Sequence, residues 1–179
     1  MQQKQLNKII YLLRHAEKDP NGTLTDKGRN EAKELRLKLP QFEKVICSDS
    51  ARSEETASLI TGTKPQVDKR CGFYMAPKEK SDLLNKIATD RKIPFLNAVA
   101  ILNDAEVNEG INKKSDELIS LIQETLQKLQ QNGAALIVSH DLSISPAMEK
   151  FGIPLESIDY LSGYIIDGEN KVKKFNRTK

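Results

Sequence analysis

The chain has 179 residues, 38% of them hydrophobic, and a formal net charge of +3. That length predicts one domain, residues 1–179, with a sizeable buried core. Aromatic residues make up only 5% and Trp is absent, which argues against a stacking platform for single-stranded nucleic acid. The basic end, residues 171–179, is typical of a solvated edge, so we expect no nucleic-acid partner.

The two cysteines, Cys47 and Cys71, form neither a CxxC pair nor a Cys/His metal set. Their number favours a reducing, cytoplasmic location. Residues 1–8 lead into an apolar stretch that is too short for the core of a signal peptide. No apolar run approaches the ~20 residues of a membrane helix, so we expect no membrane partner.

The first predicted strand covers residues 8–13 and ends at Arg14 and His15. After a loop, the capping residue Thr25 predicts a helix that Pro40 stops.

A second buried strand is predicted at residues 45–47, followed by a helix that begins near Ser50 and breaks at Gly62. Residues 66–112 show only moderate helical signals, at 80–90 and 94–102. We interpret this stretch as a possible substrate-facing insertion.

A stronger helix is predicted over residues 115–131, and a third strand over residues 134–138 delivers His140. Ser145 and Pro146 have the chemistry of a helix N-terminus. Residues 158–166 and 172–175 are typical of a closing hairpin. This element order predicts the α/β class: a three-layer sandwich with a largely parallel central sheet flanked by helices.

Two imidazoles and two guanidinium groups are expected at one edge of this sheet, because the carboxyl ends of parallel strands gather there. They belong to Arg14, His15, Arg52 and His140. Arginine binds two oxygens of a phosphoryl group at once, and the start of the second helix also favours an anion. The sequence therefore predicts a site for a tetrahedral anionic substrate.

A neutral histidine can attack phosphorus, and neighbouring arginines disfavour the protonated ring. We expect His15 to be the nucleophile and His140 to donate a hydrogen bond to the equatorial oxygens. The leaving oxygen needs a proton, which Asp141 or Glu17 could supply.

These residues carry a family resemblance. Arg14-His15-Ala16-Glu17 resembles the Arg-His-Gly-Glu signature of the histidine phosphatase superfamily, which contains phosphoglycerate mutases, acid phosphatases and short phosphohistidine phosphatases. Residues 24–28 resemble its Leu-Thr-x-x-Gly, residues 48–57 its Ser-x-x-x-Arg-x-x-x-Thr-Ala, and Ser139-His140 its second histidine motif. The chain's short length favours the short phosphohistidine phosphatase type.

The resemblance implies a phosphoglycerate mutase-like fold and a phosphorylated His15, with Arg14, Arg52 and His140 completing the phosphate pocket. It also implies Asn21 as a further oxygen ligand, and we place Thr23 beside it as substrate-binding. Two departures are visible: Ala16 replaces the usual Gly, and Asp68, Glu79 and Asp82 only loosely match the mutases' acidic motif. The acid-phosphatase branch has an Asp after its second histidine, so Asp141 ranks first as the acid and Glu17 second.

The expected function is a metal-independent phosphatase that hydrolyses a phosphomonoester or a protein phosphohistidine through a phosphohistidine on His15. Its partner would be a phosphorylated small molecule or phosphoprotein, and no cofactor or metal is expected. Two alternatives stay open: a phosphoglycerate mutase-like phosphotransferase, and a non-catalytic domain that binds phosphate or a phosphoprotein.

Overall fold

The structure is a computed structural model that describes residues 7–177. Residues 1–6 and the last two residues of the basic end, 178–179, lie outside the described residues. The described chain forms six strands and six α-helices. The strands are β1 (Ile9–Arg14), β2 (Lys44–Cys47), β3 (Gln66–Val67), β4 (Ala134–Ser139), β5 (Gly163–Asp167) and β6 (Val172–Phe175). The helices are α1 (Asp26–Leu35), α2 (Ala51–Thr61), α3 (Lys78–Arg91), α4 (Phe95–Leu102), α5 (Ala105–Lys128) and α6 (Asp141–Glu149).

The central sheet has the order β3-β2-β4-β1-β5-β6. Strands β1 to β4 run parallel, and the β5–β6 hairpin adds two antiparallel strands at one edge. This confirms the largely parallel sheet and the closing hairpin. Strand β4 lies between β1 and β2, so the ends of these three strands are neighbours.

Helices cover both faces of the sheet, as the alternation of side chains along β4 shows. Ala135 and Ile137 belong to the core cluster that contains α5 and α6 residues, whereas Leu136 and Val138 belong to the cluster with α1 and α2 residues. Since successive strand residues point to opposite faces, a strand apolar on both sides must be covered twice. The predicted three-layer sandwich is confirmed.

Residues 66–112 are divided between the sheet and a helical unit. Gln66 and Val67 pair with β2, whereas α3, α4 and the start of α5 share a third apolar cluster built on Leu84, Val99 and Val107. This third cluster packs against Leu142 of α6, which follows β4 directly. The helical unit therefore lies beside the carboxyl edge of the sheet.

Three predicted element boundaries were wrong. The first helix ends at Leu35 rather than running to Pro40. Helix α5 begins ten residues before the predicted Ser115, with Asp104 as its N-cap. Ser145 does not cap a helix: α6 begins at Asp141, and Pro146 lies inside it.

The start of α6 has a physical cause, since the chain turns into the helix directly at the end of β4. The His140 carbonyl accepts hydrogen bonds from the backbone N–H groups of Ser143 and Ile144. The Ser145 hydroxyl is used elsewhere, because it donates to the Glu156 carbonyl. Within residues 7–177, no helix is long and apolar enough to cross a bilayer.

Candidate active site

The register of the three central strands brings the two histidines together. Arg14 pairs with Ser139, and the backbone N–H of His15 donates to the Ser139 carbonyl at 3.1 Å. His15 and His140 therefore leave adjacent strands at the same level, and their ring centroids are 5.2 Å apart. Both rings are buried. The predicted gathering at the carboxyl edge is present in the structure.

His15 is held as a neutral ring with a defined tautomer. A guanidinium group can only donate, and Arg52 Nε donates to His15 Nε2 at 3.1 Å. The proton therefore lies on Nδ1, which donates to the Ala16 carbonyl at 2.8 Å. Burial, together with the charges of Arg52, Arg14 and Lys18, lowers the pKa of His15 from 6.5 to about 3. The unprotonated Nε2 carries the lone pair, which accepts from Arg52 in the free site.

His140 is neutral for the same reasons. Burial is the largest cause of its lowered pKa, followed by His15, Arg52 and Arg14. Arg52 Nη2 lies 3.4 Å from Nδ1, and Ser48 Oγ lies 2.8 Å from Nε2. Because Arg52 must be the donor, Nδ1 is the acceptor and Nε2 donates to Ser48. The resting tautomer therefore differs from the expected one, in which His140 donates toward a phosphoryl oxygen.

Arg52 reaches both imidazoles because α2 begins at the end of β2. The Ser50 hydroxyl accepts from the backbone N–H of Ser53 and caps the helix, which places Arg52 in the first turn. The guanidinium carbon lies 5.3 Å from the centre of the Phe73 ring. This first turn adds helix N–H groups to the positive charge, as an anion site requires.

Arg14 is fixed from the opposite side. Its Nη1 donates to the Ile158 carbonyl at 2.5 Å and lies 3.8 Å from Asp141 Oδ2. The guanidinium carbon stacks 4.1 Å from the centre of the Tyr160 ring. Its Nε is buried and has no hydrogen-bond partner among the described residues. Arg14 lines the cavity beside His15, so its positive charge can stabilise a bound anion.

Asp141 lines the same cavity and is held by two donors. Its Oδ1 accepts from the Ile158 backbone N–H at 2.9 Å, and its Oδ2 accepts from Ser157 Oγ at 2.7 Å. Ser145 Oγ lies 3.1 Å from Oδ1, but its single proton is donated to the closer Glu156 carbonyl at 2.6 Å. With Arg14 3.8 Å away, the carboxylate can orient that guanidinium as well as exchange a proton.

Glu17 is not brought into the cavity with the histidines. Its carboxylate accepts from Lys27 Nζ at 2.8 Å and from Thr25 Oγ1 at 3.1 Å, which lower its pKa. These contacts attach the loop after β1 to the start of α1. Glu17 therefore has a structural role in this position and does not lie where the second-ranked acid would be needed.

Asn21 and Thr23 lie in an exposed turn and do not line the cavity. The turn nevertheless approaches the site, since a Cβ on Gly22 between them would lie 3.7 Å from Arg52 Nη1. The Thr23 backbone N–H donates to Asp19. Their role as oxygen ligands stays a prediction.

The cavity has a volume of about 570 Å³, and its lining includes residues that were not predicted from the sequence. Lys18 lines it three positions after His15, and the pKa of Lys18 is lowered by burial and by the nearby Arg52 and Arg14. Phe73 and Tyr160 flank the imidazoles, with centroid distances of 4.7 Å to His140 and 5.7 Å to His15. The spacing of Lys18 from His15 was a usable signal, whereas the two aromatic residues belong to segments without a motif.

Ala16 and the two cysteines, which the sequence also singled out, have structural roles. Ala16 does not have a positive φ, so it is accommodated where the family signature has Gly. Its backbone N–H donates to Thr56 Oγ1 at 3.0 Å. Both cysteines are buried free thiols, and burial raises the pKa of Cys47 to about 11. In the described part of the chain, no three His, Cys, Asp or Glu side chains form a metal-ligand group.

Comparison with known proteins confirms the resemblance seen in the sequence. Residues 10–72 match the sequence model of the histidine phosphatase superfamily (branch 1). This range contains His15 and Arg52 but not His140. A search of curated proteins found no match.

Solved structures share the fold over almost the whole chain. YhfR from Bacillus stearothermophilus is 21% identical with a TM-score of 0.69, covering 93% of this chain and 95% of its own. A mycobacterial glucosyl-3-phosphoglycerate phosphatase is 18% identical with a TM-score of 0.66, covering 95% and 98%. The predicted phosphoglycerate mutase-like fold is thereby confirmed.

Proposed function

We propose that this protein, whose resemblance to the histidine phosphatase superfamily is confirmed, is a phosphatase that works through a covalent phosphohistidine on His15. The observation that carries the proposal is the state of that ring: Nδ1–H donates to the Ala16 carbonyl, and the Nε2 lone pair faces the Arg52 guanidinium. A neutral nucleophile that points at a fixed cation is the arrangement that attack on a phosphoryl group needs.

The first step transfers the phosphoryl group to His15. The Nε2 lone pair forms the N–P bond while the bond from phosphorus to the leaving oxygen breaks. Arg14 and Arg52 stabilise the charge on the three equatorial oxygens. Asp141 starts this step as the protonated carboxylic acid and gives its proton to the leaving oxygen, because it is the acidic side chain that lines the cavity within residues 7–177.

The second step reverses the proton transfer. The Asp141 carboxylate accepts a proton from a water molecule as the water oxygen bonds to phosphorus, and the N–P electron pair returns to Nε2. This chemistry does not require a metal, and the adjacent guanidinium groups would repel a cation. The substrate is a phosphomonoester or a protein phosphohistidine. The free thiols Cys47 and Cys71 support a reducing compartment such as the cytoplasm.

Phosphohistidine labelling tests the function. The protein is mixed with a phosphate ester in chelator and quenched, and the label is examined for acid lability. The chain has only two histidines, so the label is expected on His15 in the native protein and is expected to be absent from His15→Ala. His140→Gln is the matched variant, which should retain the label but form it more slowly. Label that persists in His15→Ala, or no phosphate release from any substrate, would overturn the proposal.

The role of Asp141 is tested with two leaving groups. A leaving imidazole needs less protonation than an alkoxide, so Asp141→Asn should slow the hydrolysis of an alkyl ester more than that of a phosphohistidine peptide. Single-turnover rates with both substrates give the ratio. Equal slowing would instead assign Asp141 to the orientation of Arg14.

A further inference from the structure

The cavity has a charged part, which contains the histidines and arginines, and an apolar part, which forms its wall. The apolar part indicates the chemistry of the leaving group. We propose that the substrate is a small phosphomonoester whose alcohol carries a bulky apolar group, which the wall of the cavity binds. This inference rests on the proposed phosphatase function, because it takes the phosphoryl group to lie against His15. The wall consists of apolar or aromatic side chains from the segment after β3, from α4 and from α6: Phe73, Tyr74, Met75, Ala76, Phe95 and Leu142.

Aromatic rings mark the boundary between the two parts. Phe73 lies against both His140 and Arg52, and Tyr160 lies against both His15 and Arg14. Each guanidinium therefore has one face covered by a ring. Beyond these rings, the group attached to phosphorus meets the apolar wall.

The wall is supported from behind. Tyr74, Ala76, Phe95 and Leu142 pack against the third apolar cluster, which α3, α4 and the start of α5 share. The Tyr74 ring also lies directly on the backbone at Gly110, where a Cβ would come within 2.3 Å of the ring. Side chains fixed by such packing form a preformed surface, so little ordering is needed when an apolar group binds.

Few polar groups remain to bind a polar leaving group. Apart from the histidines and arginines, the lining residues with a polar side-chain group in the described chain are Lys18, Tyr74, Ser81, Ser157, Tyr160 and Asp141. Ser157 donates its hydroxyl to Asp141, which also accepts from the Ile158 backbone N–H. A sugar or glycerate would lose hydration at several hydroxyl or carboxylate groups with few partners to replace it.

The volume of the cavity also favours a small molecule. About 570 Å³ falls within the range of roughly 300 to 1,000 Å³ that is usual for small-ligand sites. We therefore assign the site to a small ester rather than to a phosphoprotein.

A matched pair of esters tests the inference. 2-Phenylethyl phosphate and glycerol 1-phosphate both lose a primary alkoxide, so a difference between them reflects binding of the attached group rather than leaving ability. We expect kcat/KM to be at least about tenfold higher for the phenylethyl ester, mainly through KM. An equal or reversed preference, or faster turnover of a phosphohistidine peptide, would overturn the inference.

Variants of the wall connect the preference to these residues. Phe95→Ala should remove most of the preference by raising KM for the phenylethyl ester by a larger factor than KM for glycerol 1-phosphate. Met75→Ser tests the same preference without a folding risk, because the Met75 side chain is 79% exposed. Leu37→Ser is its control, since Leu37 is 88% exposed and lies outside the cavity lining. A preference that survives both wall substitutions would contradict the inference.

Failure of the proposed function gives a different result. If the protein were not a phosphatase, neither ester would release phosphate and His15 would stay unlabelled. If only the substrate class were wrong, His15 would still be labelled and glycerol 1-phosphate or the phosphohistidine peptide would be the better substrate.

Discussion

Arg52 contacts both imidazoles in the free site, and this determines what substrate binding must change. Its Nε donates to His15 and its Nη2 to His140. A phosphoryl group that takes these two N–H donors releases the His15 lone pair at the moment when phosphorus is adjacent to it. In the proposed mechanism the guanidinium already occupies the position from which it would stabilise the transition state, so little reorganisation would be needed.

Ser48 controls the second histidine. To donate toward phosphate from Nδ1, His140 must hold its proton there, and Nε2 must then accept. A hydroxyl can serve both states because it donates as well as accepts. The Ser48 hydroxyl also lies 3.1 Å from Ser50 Oγ, so it keeps a partner in either state.

We therefore expect Ser48→Ala to slow His15 labelling by roughly tenfold to a hundredfold, the range produced by misplacing a reacting group by up to about 1 Å. Nitrogen NMR shifts of His140 should show that the single Nε2–H tautomer is lost. Ser58→Ala, on helix α2 and outside the cavity lining, is the control. Unchanged labelling together with a changed tautomer would separate Ser48 from catalysis.

At the scale of elements, α1 is attached to the loop that follows the nucleophile. Thr25 caps α1 and its backbone N–H donates to the Glu17 carbonyl, while Glu17 accepts from Lys27. Gly28 allows this approach: a Cβ there would lie 2.5 Å from the Glu17 carbonyl oxygen. The Leu-Thr-x-x-Gly segment thus acts by docking a helix rather than by touching substrate.

Gly28→Ala tests this docking because helix propensity and the backbone clash predict opposite changes in the free energy of unfolding. Helix propensity alone would raise the free energy of unfolding by up to about 1 kcal/mol. The backbone clash should instead lower it by about 1–3 kcal/mol, as measured by urea denaturation. Asn30→Ala, at an exposed position of the same helix, should show only the propensity gain. A stabilised Gly28→Ala protein would contradict the close packing.

The elements predicted from sequence are those whose signals are local. Thr25 and Ser50 cap helices through their own hydroxyl groups, and the apolar run of β4 is readable because both its faces are buried. The start of α5 was missed because Gly110 weakens its helical signal, and Gly110 is there to admit the Tyr74 ring. Contacts between distant segments, such as Tyr160 with Arg14, leave no local pattern.

For the whole molecule, burying both histidines unprotonated couples folding to pH. The chain has only two histidines, and in the folded protein burial lowers both pKa values, that of His15 to about 3. In the unfolded chain each would bind a proton near pH 6.5. Between about pH 6.5 and 5 the unfolded state therefore holds more protons, so stability is full above this window and falls as pH decreases.

We expect the free energy of unfolding to fall with a slope that approaches about 2.7 kcal/mol per pH unit near pH 5, the value for two protons. Urea denaturation at several values between pH 7.5 and 5 measures this slope. Carboxylates with lowered pKa values, such as Glu17 and Asp68, add to it only at more acidic pH, because their unfolded pKa values lie near 4. His140→Gln should halve the slope, and the double variant with His15→Gln should nearly abolish it. A native protein whose stability is unchanged from pH 7.5 to 5 would show that the folded histidines also bind protons, and the neutral nucleophile would then be wrong.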